Sequence, residues 1–245
     1  MLFKLFNFTF GTIIRVIQKS LVATPFIGVH YYLKQQAVQK SAEYAINNFS
    51  NAMIFQTKER LWDYCIQKIP SFQGVEKVII AEFGVYKGHS INYFAKKCPN
   101  ALLFGFDSFE GLEEDWYGFI LQKDEFHTNG ELPKCEKNVE LFKGWFEKTV
   151  PSFIEKLQQD QIQILHMDAD TYKPTAFVLN SLYKSLGKGS IVIFDEYLGY
   201  PSWELHEFRA WQELVASTGI KYQYIGYSET PSNGFSTIQV AVKIL

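Results

Sequence analysis

Apolar residues recur at helical spacing through residues 41–69, SAEYAINNFSNAMIFQTKERLWDYCIQKI, with no strand-like alternation, and Pro70 and Gly74 close the stretch. Beyond it the pattern changes. Short apolar runs suited to buried strands appear at 77–83, 101–106, 161–167 and 190–194, and NVELFKG at 138–144 fits a further strand. Helix-like segments lie near 88–97, 145–157 and 174–186. Strands that alternate with helices pair in parallel through right-handed crossovers. The end of the chain differs: residues 203–217 read as helix, and 221–227 and 235–244 as strands. SETPSNG between those two strands is too short for a helical crossover, so they form an antiparallel pair. The pattern therefore predicts an α/β fold: a mostly parallel, seven-stranded sheet with helices on both faces and an antiparallel C-terminal strand pair.

Composition narrows this picture. The 245 residues are 47% hydrophobic and 20% charged, enough for a packed core. A net charge of −2 lacks the basic excess of a general nucleic-acid binder, so no nucleic-acid partner is expected. Cys65, Cys98 and Cys135 are odd in number and far apart, which makes neither a disulfide framework nor a metal knuckle and favours a reducing cytoplasm. Residues 1–40 stand apart as a basic, aromatic helical extension, with five Lys or Arg and no acid. They contain no apolar run of the ~18 residues a spanning helix needs, and no cleavage-site pattern of a secretory signal. Two roles fit them: a helix lying on a membrane surface, or, the favoured reading, a helix packed on the domain or on a second copy of the chain. The expected organisation is thus an extension over 1–40 and a domain over 41–245, divided into a helical cap (41–74) and an α/β core (75–245). The polar, aromatic stretch 111–137 is longer than most loops and reads as a lid or substrate wall.

The candidate chemistry begins at AEFGVYKGHS, residues 81–90, where a strand runs into a helix through a glycine turn. A dinucleotide fingerprint needs a middle glycine that is absent after Gly84. A P-loop needs glycines one residue further apart and a lysine where His89 stands. What remains is Glu82-x-Gly84-x-x-x-Gly88-x-Ser90, an acid, a turn and a helix start. Glu82 repels a phosphate and welcomes an ammonium or sulfonium group. Asp107 ends the next strand, 25 residues later, where an acid accepts hydrogen bonds from ribose hydroxyls. A nucleoside with a cationic tail, such as S-adenosylmethionine, meets both conditions.

AEFGVYKGHS, FGFDSFEGL, KGWFEKTVP, LHMDADTY and IVIFDEY, taken in order, resemble the TylF/MycF-type (macrocin) O-methyltransferases over about residues 45–228. That resemblance implies a Rossmann-like class I methyltransferase fold. It places Glu82, Gly84 and Ser90, with Gly88 in the turn, on the methionine side of the cofactor. Asp107 and Ser108 fall on the ribose, and Trp145 and Phe146 near the adenine.

HMDADTY and FDEY place Asp168, Asp170, Asp195 and Glu196 at the ends of neighbouring strands, which line one crevice in an open parallel sheet. Their mutual repulsion calls for a hard divalent cation such as Mg²⁺. The resemblance assigns the metal to Asp168, Asp195 and Glu196, with Glu196 one methylene longer than the aspartate usual there. It assigns the base to Asp170, and Asp168 is counted with the cofactor-binding set as well. His206 is the second candidate base, and His166 is read as structural support. Capping of the helix near 174 accounts for Asp170 as the alternative to a catalytic role.

The function expected is O-methylation of a hydroxyl on a sugar, polyol or related small-molecule acceptor. A nucleotide-binding oxidoreductase or epimerase is the first alternative, opposed by the missing glycine. A non-catalytic scaffold docking through residues 1–40 is the second, opposed by the acidic cluster. The acceptor pocket is expected among the 111–137 loop, the helical N-terminal region and residues 200–203. Self-association is left open.

Overall fold

The computed structural model describes residues 28–69, 77–118, 123, 125–232 and 235–245. Most of the basic extension therefore lies outside the described residues. The first helix among the described residues, α1 (Val29–Asn48), runs through position 40. A short strand β1 (Met53–Phe55) and helix α2 (Lys58–Gln67) follow. The core continues as β2 (Ile79–Phe83), α3 (His89–Lys97), β3 (Leu102–Asp107), β4 (Val139–Lys143) and α4 (Phe146–Leu157). Then come β5 (Ile164–Met167), α5 (Tyr172–Leu182), β6 (Ile191–Leu198), α6 (Glu207–Thr218), β7 (Tyr222–Ser232) and β8 (Phe235–Ile244). No helix among the described residues is long and apolar enough to cross a membrane.

The strands form one eight-stranded sheet in the order β1-β7-β8-β6-β5-β2-β3-β4. All pairings are parallel except β6 with β8 and β7 with β8. The parallel sheet with an antiparallel C-terminal pair is thus as the pattern predicts. The eighth strand is the correction: β1 lies inside the stretch read as helical and pairs in parallel with β7. Three residues are too few to show an alternation, and Met53 and Ile54 remain exposed at this edge.

Period-two alternation divides the central strands between two cores. On β6, Ile191 and Ile193 face one side with Leu61 and Trp62 of α2 and Ile91 and Phe94 of α3. Val192 and Phe194 face the other, with Phe153 of α4, Leu179 of α5 and Trp211 of α6. Strands covered on both faces read as continuous apolar runs, and β2, β5 and β6 are buried along their whole length.

The register then decides where the chemistry falls. Phe83 pairs with Phe106 and with Met167, and Met167 with Phe194. Gly84, Asp107, Asp168 and Asp195 therefore stand side by side along the carboxyl edge. The approach is close: a Cβ on Gly84 would lie 1.8 Å from the carbonyl oxygen of Asp168, and Gly84 has φ +98°. Gly84 is glycine because the turn presses on the end of β5, whatever it binds. Gly84→Ala is expected to lose about 2–4 kcal/mol of stability by combined overlap and backbone strain, read by urea unfolding; wild-type stability would show that the turn does not press on β5.

Candidate functional site

A cavity of about 310 Å³ opens along this carboxyl edge. Gly84, Asp107, Ser108, Trp145 and Phe146 line it together with Asp168, Asp170, Asp195 and Glu196. Nine of the residues singled out in the sequence thus meet in one cavity. Leu112, Glu113 and Phe126 of the 111–137 stretch also line it.

The glycine turn is built around Asp107. Its Oδ2 accepts from the N–H groups of Val85 (2.8 Å) and Tyr86 (2.7 Å), and its Oδ1 from Phe109 N–H (2.6 Å). Asp107 ties the turn to the end of β3, and each carboxylate oxygen accepts up to two bonds, so Oδ1 keeps capacity for one hydroxyl. Ser108 turns its hydroxyl into its own loop, accepting from Glu110 N–H and donating to Gly111 O. Phe146 is fixed edge-on against Phe83, with ring centroids 5.2 Å apart.

Four sequence candidates lie outside the cavity wall. Glu82 is fully buried beneath it, where Ser90 Oγ donates to Oε1 and His166 Nδ1 meets Oε2, both at 3.0 Å. Glu82 therefore faces a histidine rather than a ligand's cation, and Ser90 locks the first turn of α3 to β2. Gly88 caps α3 in a left-handed conformation, φ +77°. His206 is buried away from the cavity, and its Nε2 donates to the carbonyl of Tyr117 at 2.8 Å. Burial lowers the His206 pKa, and the structure gives it the task of anchoring the 111–137 loop.

Beneath the cavity the charges alternate. His166 sits on Glu82 with one ring nitrogen, and its Nε2 lies 3.8 Å from Asp195 Oδ1, an ion-pair distance. Asp195 in turn binds the ammonium of Lys58 through Oδ2 and the side-chain amide of Gln239 through Oδ1. Burial would depress the His166 pKa, but Asp195 and Glu82 outweigh it and raise the value to about 10. Burial would likewise raise the Asp195 carboxyl, but Lys58 and His166 hold it well below the usual carboxylate range. For Lys58 the effect of burial is overcome by Asp195, Glu196 and Asp168, which keep the amine charged. Two members of this network escaped the sequence reading. Lys58 heads an ordinary helix with no local chemical signal. Gln239 carried one, as a polar residue inside the buried apolar run of β8.

Above this line stand three carboxylates. Asp168, Asp170 and Glu196 each bring an oxygen to within 4.8 Å of the others, and Oε2 of Glu196 is buried with no hydrogen bond. Burial pushes all three carboxyls upward, and repulsion from neighbouring carboxylates adds to it, from Asp195 first for Asp168 and Glu196 and from Asp168 for Asp170. The local backbone is arranged for this. Consecutive strand residues point to opposite faces, but β6 shifts register between Phe194 and Leu198, and both Asp195 and Glu196 approach Asp168. Asp170 adopts φ +62°, a left-handed conformation that is uncommon and costly for a non-glycine residue. It does not cap α5, whose N-cap is Thr171. Glu207, not foreseen, is a further buried carboxylate behind the trio and accepts from Glu196 N–H at 3.1 Å.

Residues 81–197 match the family model described as a methyltransferase domain. A 77-residue stretch is 32% identical to demethyldecarbamoylnovobiocin O-methyltransferase of Streptomyces niveus, spanning 31% of this chain and only 28% of that protein's length. Among solved structures, the chain resembles the calicheamicin methyltransferase CalS11 with TM-score 0.56 and 20% identity, over 87% of this chain and 91% of that one. It also resembles the O-methyltransferase NovP with TM-score 0.51 and 20% identity, over 76% and 79%. The fold is therefore the Rossmann-like fold of class I methyltransferases.

The charge line has a pH signature. Folding raises the imidazole pKa of His166 from about 6.5 to about 10. Its contribution to stability is complete below the lower value and is lost as pH rises through the upper one. In metal-free buffer, the stability gap between wild type and His166→Asn is expected to shrink from pH 6.5 to 10 in urea unfolding. A gap independent of pH would mean that His166 is not charged in the folded protein.

Proposed function

We propose that this chain is an S-adenosylmethionine-dependent O-methyltransferase that acts on a hydroxyl of a sugar, polyol or related natural-product acceptor, assisted by a divalent cation. The observation that carries this reading is the meeting, in one cavity, of the Asp107 turn with the Asp168, Asp170 and Glu196 carboxylates.

The cavity suits the cofactor by its chemistry. Trp145 and Phe146 offer flat apolar surface for a base, Asp107 Oδ1 accepts from a ribose hydroxyl, and the acidic wall favours a cationic sulfonium over a phosphate. The cation fits as well. Three buried carboxylates converge, one oxygen of Glu196 lacks any partner, and the set is all oxygen, as Mg²⁺ prefers. Asp195 enters this assignment differently from the family resemblance, because its oxygens are engaged by Lys58 and Gln239. Asp168 and Glu196 then hold the ion, with Asp170 beside them.

When bound, adenosylmethionine supplies an activated methyl group, and a divalent ion supplies positive charge that acidifies and orients the acceptor hydroxyl. The chain does the rest. Asp170, whose carboxyl is pushed above the usual carboxylate range by burial and by Asp168 and Glu207, is a stronger base than a free carboxylate and takes the hydroxyl proton. Tyr86 and Phe126, packed at 5.5 Å on the cavity wall, offer rings to an acceptor's apolar face. Holding acceptor and donor together supplies much of the rate. A sugar hydroxyl is favoured because CalS11 is described as a TDP-rhamnose 3'-O-methyltransferase.

Calorimetry is expected to show adenosylmethionine binding, and a screen of nucleotide sugars and glycosides to show methyl transfer that EDTA stops and Mg²⁺ restores. Asp170→Asn should lower turnover about 10²- to 10⁴-fold while changing adenosylmethionine affinity little, and Asp168→Asn should abolish turnover. Full activity in EDTA would remove the cation from the scheme. NAD(P) binding without adenosylmethionine binding would replace the scheme with an oxidoreductase.

A further inference from the structure

Lys58 is the first residue of α2, a helix outside the segment that matches the methyltransferase model. Its place is fixed by the N-cap Thr57, whose side chain accepts from Arg60 N–H at 3.3 Å. The ammonium reaches from there to the cavity wall and binds Asp195. The Lys58 side chain is 26% exposed and that of Asp195 is 4% exposed. In the other lysine and arginine ion pairs among the described residues, the cation is between 46 and 72% exposed. Those are surface pairs of the kind that contributes little. Lys58 instead brings a full positive charge into a cavity wall of carboxylates.

Two charges of one sign in a partly desolvated site repel strongly. A divalent ion that enters beside Lys58 meets that repulsion, and it finds Asp195 already engaged. The carboxylates left to it are Asp168, Asp170 and Glu196, whose oxygens converge and among which Glu196 Oε2 is buried and unpartnered. We propose that Lys58 is the resident cation of this site: its ammonium group occupies Asp195, leaves a divalent ion to Asp168 and Glu196 beside Asp170, and so sets how weakly that ion binds. The inference rests on the metal-assisted reading above and adds a residue and a form of control to it. A lysine that only stabilised the fold would leave metal affinity unchanged.

The test is Mn²⁺ titration of the full-length chain, followed by electron paramagnetic resonance, in wild type, Lys58→Met, Lys58→Gln and Lys58→Arg. Lys58→Gln keeps an N–H donor for Asp195, so the measurement survives if Lys58→Met fails to fold. Removing the charge is expected to tighten Mn²⁺ binding at least about tenfold, and Lys58→Arg to stay within about threefold of wild type. Unchanged affinity in the charge-free variants, or Mn²⁺ binding in none of the four proteins, would overturn the role of Lys58. Adenosylmethionine binding measured on the same samples keeps the two questions apart: its presence in wild type with unaltered Mn²⁺ affinity rejects Lys58 alone, and its absence from wild type rejects the methyltransferase reading.

Discussion

The site depends on a buried line of alternating charge, Glu82, His166, Asp195 and Lys58, that crosses from β2 through β5 and β6 to α2. Each member is tolerable only because of its neighbours. Taking one charge out of such a line leaves another buried and unpaired, typically at about 3–5 kcal/mol. The line holds the three central strand ends at a common level, and it consumes the negative charge of two of the site's acids. What is left unneutralised is the trio of Asp168, Asp170 and Glu196, which is where a cation has most to gain.

Above that line the backbone is shaped for the site rather than for regularity. Asp170 holds a left-handed conformation, and β6 loses its register just where Asp195 and Glu196 stand. Both departures lie at the cavity, whereas the neighbouring strands β2 and β5 pair without a register shift and are fully buried. Irregular positions persist where the rest of the structure over-determines them. Here they turn neighbouring carboxylates toward one point instead of to opposite faces of a strand.

Much of the fold was legible because the central strands are buried on both faces and announce themselves as apolar runs. The short edge strand Met53–Phe55 was not, since its identity rests on pairing with β7 rather than on its own residues. Of the site, the residues at strand ends were legible, because parallel strands bring their carboxyl ends to one edge whatever their sequence. Asp107 and Asp168 line the cavity for that reason. Glu82 and His206 were misplaced, since a polar residue's neighbours, not its type, decide whether it faces a ligand or braces the fold.

The amino-acid sequence by itself determined the parallel sheet, its antiparallel end and the set of strand-end acids, because hydrophobic periodicity is a local property of the chain. Only the tertiary structure decided the partners of those acids. Lys58 reaches Asp195 across 137 positions, Gln239 reaches it across 44, and Glu82 meets His166 across 84. Contacts over such separations leave no periodic trace, and they alone sort the carboxylates into those already neutralised and those open to a cation.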